Sequence, residues 1–63
     1  MNIVFLILSA AHSGLGVAAT FLESKAKSEE AKGDTKSAEK DRNLAKILKA
    51  ADAGIIDYLS NLS

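Results

Sequence analysis

The chain lacks cysteine, proline and tryptophan, and it carries no net charge. Each absence excludes something. Without cysteine there is no disulfide and no thiolate metal site. Without proline, nothing in the chain forces a helix to stop. Eight basic residues balance eight acidic ones, which argues against electrostatic binding to nucleic acid. Only three aromatic residues are present, Phe5, Phe21 and Tyr58, and they read as packing residues. At 63 residues the chain is one domain, short enough that its own core is marginal without help. With no disulfide or thiolate metal site, that help must come from other copies, from lipid, or from long well-packed helices.

The charges that are present are distributed unevenly, and their placement divides the chain into three parts. Residues 1–22 contain no Asp, Glu, Lys or Arg. Their hydropathy falls in the range of membrane spans, and 22 helical residues would extend about 33 Å, close to the thickness of a bilayer's hydrocarbon core. This part reads as an apolar helix, a membrane span or the core of an assembly. A cleaved signal peptide is the lesser reading, because no Lys or Arg precedes the apolar run. Residues 23–43 hold six basic and six acidic residues and only alanines as apolar content. Their Glu, Lys and Ala favour helix, and Glu23–Lys27, Lys25–Glu29 and Glu29–Lys32 are spaced for pairing along one helix. The like-charge spacings Lys32–Lys36 and Lys36–Lys40 weaken that helix. A turn is expected there, with Gly33 in a left-handed conformation and Asp34 or Thr35 capping the next helix.

Residues 44–62 form an amphipathic pattern. Leu44, Ile47, Leu48, Ala51, Ile55, Tyr58, Leu59 and Leu62 fall within about 120° of one another on a helical wheel. Lys46, Lys49, Ala53, Asp57, Ser60 and Asn61 cover the opposite side. The apolar set is the expected interface with a partner helix. The fold expected is all-α: a two-helix hairpin broken near Gly33, with an apolar N-terminal helix and an amphipathic C-terminal one. Counted outward from the turn, Leu15 falls near Asp52 and Ala18 near Lys49.

One partner helix cannot cover a helix that is apolar all round, and monomeric soluble proteins rarely leave such a surface open. An obligate assembly, or burial in lipid, is therefore expected. Ala10, Gly14 and Ala18 recur at four-residue spacing, as in helices that approach closely.

Little chemistry is on offer. His12 is the only histidine, a candidate polar site within the apolar segment, with no carboxylate or cysteine near it in sequence. Asp52 sits at the edge of the apolar stripe, placed to pair with Lys49 or a neighbouring copy. Asp52 and Asp57 point to different sides of the helix, so they do not form an acid–base pair. Ser9, His12 and Ser13 lack an orienting acid. No catalytic set, cofactor site or metal site is expected, and no small-molecule substrate. The expected role is a small structural subunit that assembles with copies of itself: a filament or pilus subunit, a virion coat protein, or a capsid-associated membrane protein. The alternatives are a holin-like or toxin-like membrane-acting protein, an accessory subunit of a membrane complex, and a soluble dimeric helix-bundle regulator. The expected setting is a membrane or an extracellular or virion assembly.

Overall fold

A computed structural model describes residues 2–62. It contains two long helices, α1 (Ile3–Ala31) and α2 (Thr35–Leu62), folded back on each other as a hairpin. The Cα envelope measures 48 × 15 × 11 Å. The apolar and charged parts of the N-terminal half are one continuous helix; the change in composition at residue 23 does not break it.

The sequence explains each end. The Asn2 side chain accepts a hydrogen bond from the Val4 N–H at 2.9 Å and starts α1. At the other end Gly33 adopts φ +83°, where a side chain would be strained. Its N–H donates to the Glu30 carbonyl at 3.0 Å, and the Asp34 N–H donates to the Glu29 carbonyl at 2.9 Å. This pair of bonds is a Schellman motif, and it satisfies two carbonyls that the helix end would leave open. Asp34 then serves as the N-cap of α2, its Oδ1 accepting from the Ser37 N–H at 3.2 Å. Thr35 is the first helical residue rather than the cap.

The two helices meet along a seam of three- and four-residue steps, which alternate throughout on α2 and as far as Leu22 on α1. On α2 the seam is Ala38, Asp41, Ala45, Leu48, Asp52, Ile55 and Leu59, all buried or half-buried. On α1 it runs through Leu8, Ala11, Leu15, the Ala18–Ala19 pair, Leu22 and Ala26 to Glu29. This is heptad spacing, the geometry of a left-handed helix pair. The most deeply buried side chains are alanines: Ala19, Ala26, Ala38 and Ala45, none more than 2% exposed. Small residues at the closest contact let the backbones approach, and they also make the core thin. No large side chain is fully buried among the described residues.

The seam differs from the expected interface. It is turned by most of a helical residue's arc from the apolar stripe of α2. Leu48, Ile55 and Leu59 of that stripe are half-buried against α1. Leu44, Ile47, Ala51, Tyr58 and Leu62 are exposed, with Ile47 at 64%. The reason is the charged half of the hairpin. There the only side chains small enough for close contact are alanines, and Ala38 and Ala45 pull the contact line toward their own side of α2.

Candidate functional site

Two features stand out: a set of polar contacts across the seam, and a wide apolar surface beside it.

The polar contacts follow the seam. His12 Nδ1 lies 2.6 Å from Asp52 Oδ1. The carboxylate that His12 lacks in sequence is supplied by the other helix. Asp52 therefore pairs neither with Lys49 nor through its own helix. Lys49 instead meets Glu23, Nζ to Oε1 at 2.7 Å. Arg42 grips Glu30 with both ends of its guanidinium, Nη1 to Oε1 at 3.2 Å and Nη2 to Oε2. Lys25 Nζ lies 3.7 Å from Asp41 Oδ2. The bridges among the described residues thus run between helices, where the sequence spacing suggested pairs within α1. The register agrees with the sequence count to within a turn: Asp52 meets His12 where Leu15 was expected.

One juxtaposition was not anticipated. Asp41 sits in the seam at 8% exposure, and Glu29 lies against it. The side-chain interaction with Asp41, together with burial and the like charge of Asp41, raises Glu29 above the usual carboxylate range. Glu29 Oε1 and Asp41 Oδ2 are buried with no hydrogen-bond donor. Glu30 moves the opposite way: the bonds and charge of Arg42 lower it, and Arg42 is raised in turn. Counting outward from Gly33 does bring Glu29 close to Asp41. The signal was present but lay in a segment that reads as a solvated surface.

The apolar surface is larger. Of the most apolar 18-residue window of α1, only 6% is buried. Ile3, Ile7, Val17 and Phe21 are each more than 60% exposed. By length and composition α1 is able to cross a membrane. The small-residue trio is divided: Ala18 is half-buried against α2, while Ala10 and Gly14 face outward. No group of three or more potential metal ligands occurs among the described residues. The concavities on the surface are open. One, about 650 Å³, is a shallow trough on α1 between His12 and Phe21.

Comparison with protein-family models, with characterised proteins and with solved structures finds no match to the chain.

Proposed function

We propose that this chain is a small structural subunit that assembles in many copies, with no enzymatic role. The observation that carries this reading is the uncovered apolar surface of α1. The hairpin partner covers one seam and leaves most of a charge-free helix open. Water does not tolerate that surface in a stable monomer. The charges permit close packing of identical chains: each of the three parts of the sequence is neutral by itself, so copies do not repel at long range. A filament or pilus subunit, a virion coat protein and a lattice component at a membrane all fit this description. Expression of the full chain, fractionation with and without detergent, and imaging of the soluble and membrane fractions test it. Filaments or particles support the reading. A strict monomer in detergent-free buffer contradicts it.

A membrane-acting role is the second reading, and the length and composition of α1 favour it. The hairpin constrains how lipid would be used. Lys46, Lys49, Asp52 and Asp57 lie on α2 alongside the apolar part of α1. Inserting both helices would carry those charges into hydrocarbon, at a cost of a few kcal/mol each by insertion scales, or about 3 kcal/mol for an unpaired one. α1 would cross alone, or the hairpin would lie flat on the surface with its apolar side down. Dye release from liposomes, compared between the wild type and His12→Ala, separates a pore from a passive subunit.

A further inference from the structure

Many of the apolar residues that the hairpin leaves open fall on two stripes, while Phe5, Leu6 and Ile56 lie off them. On α1, Ile7, Ala10, Gly14, Val17 and Phe21 each precede a seam residue by one position. On α2, Leu44, Ile47, Ala51, Gly54 and Tyr58 do the same. All ten are exposed. Each set is a second heptad stripe, turned about 100° from the seam in the same sense. The ion pairs show that this shared sense means a shared side. Glu23 and Lys49 each follow a seam residue by one, and they bond to each other; so do Glu30 and Arg42. The residues that follow the seam therefore share one side of the hairpin, with Glu23, Glu30, Arg42, Lys46 and Lys49 toward the turn and Gly16, Ala53 and Ile56 toward the open end. Those that precede it form the opposite face, two helices wide and free of charge for about 21 Å along each helix.

The glycines on this face have no role within the hairpin. A Cβ added at Gly14 or Gly54 would meet nothing within 4 Å. Glycine in a helix interior weakens the helix, so both are unfavourable in an isolated hairpin. Both lie on the apolar face, one on each helix. Read from the His12–Asp52 and Glu23–Lys49 contacts, they stand at about the same level, within half a turn. The middle of the face is thus flat, and bulky residues flank it: Phe21 and Ile47 toward the turn, Ile7 and Tyr58 toward the open end.

We infer that this face binds the same face of a second copy, closing a four-helix bundle with the two turns pointing apart. Three features favour a second copy as the occupant. A charge-free strip two helices wide matches the order of size that a stable dimer needs, about 800 Å² from each partner. The flat centre lets backbones approach there, while bulky side chains at one end of the strip meet those at the other end of the partner. The orientation follows from charge. Lys32, Lys36 and Lys40 continue the face at the turn end. Turns placed together would stack these lysines against their copies, whereas turns placed apart separate them. A two-fold axis through the glycine level then sets Gly14 against Gly14 of the second copy. The inference rests on the self-assembly reading and specifies its first contact.

The test uses the full chain in detergent-free buffer, with mass measured by light scattering across a concentration series. The wild type is expected to reach at least twice the chain mass of 6.6 kDa. Gly54→Leu fits the open hairpin and is a better helix former, so it should fold, yet it should weaken association tenfold or more. Ala53→Leu, on the opposite side of the hairpin, should associate like the wild type. In Gly14→Cys, the sole cysteine should oxidise readily to a covalent dimer; in Lys36→Cys it should not. If Gly54→Leu associates like the wild type, or Lys36→Cys cross-links in place of Gly14→Cys, the assigned face or orientation is wrong while self-assembly stands. If the wild type is a monomer throughout, both readings fail. A monomer in buffer that is taken up by phosphatidylcholine vesicles assigns the face to lipid and overturns the inference.

Discussion

His12 and Asp52, forty positions apart in the chain, are joined across the hairpin by a 2.6 Å contact from Nδ1 to Oδ1. The contact links the apolar half of α1 to α2, one turn beyond the Glu23–Lys49 bridge. It gives the sole histidine a structural role before any other. Replacing either partner by alanine should lower stability by about 0.5–1.5 kcal/mol, the usual net worth of one hydrogen bond. A double-mutant cycle followed by urea unfolding should show coupling, with the double variant costing less than the sum of the two. Strict additivity would mean that the contact contributes nothing.

The carboxyls near the turn should make stability respond to acid in two opposing ways. Glu29 is raised in the folded state, so its ionised form at neutral pH costs stability, and that cost disappears as pH falls through the raised value. Glu30 is lowered, so its contribution is present above the unfolded carboxylate range and is lost as pH falls through the lowered value. Glu29→Gln should raise Tm at neutral pH, because the amide donates to Asp41, and its advantage should shrink as pH falls through the raised value of Glu29 and be lost below about pH 4. Glu30→Gln should lower Tm at neutral pH and have little effect in strong acid. Thermal melts across pH read both signs.

Among the described residues, Gly33 is the one position where the backbone requires glycine. Gly33→Ala should cost about 1–2 kcal/mol, the penalty for a side chain in left-handed helical geometry. Asp34→Ala should cost about 1 kcal/mol through loss of the cap. Denaturant midpoints measure both.

Ala26 and Ala38 occupy the tightest part of the seam, at 0% and 1% exposure. Ala26→Leu should destabilise the hairpin by about 1–3 kcal/mol through overpacking, despite leucine's good helix propensity. The same change at exposed Ala50 should have an effect within about 0.5 kcal/mol. Unfolding curves of the two variants make the comparison.

The two helices, the break between them and the apolar character of the first can be read from residue types alone. The Lys32–Lys36–Lys40 spacing and Gly33 mark the turn without any tertiary information. The seam was harder to read. An apolar stripe on α2 suggests contact through Leu44, Ile47 and Tyr58, and these are the residues left open. Periodicity finds a stripe but does not say which edge of it meets the nearest partner. That choice depended on the alanines at 38 and 45, whose small size decides where two backbones come close. Asp41 is hidden for the same reason: it shares the alanine side of α2, and its charge gives no hint of burial. The two stripes on each helix, one for the hairpin and one beside it, became separable only when the ion pairs showed which residues share a face.

The central claim is that the open apolar face of the hairpin is covered by other copies of the chain. Sedimentation equilibrium of the full-length wild type in detergent-free buffer, from micromolar to millimolar concentration, tests it most directly. The account predicts a mass of at least twice 6.6 kDa that falls toward one chain only on dilution. A single species of 6.6 kDa over the whole range, with the helices intact by circular dichroism, would contradict it.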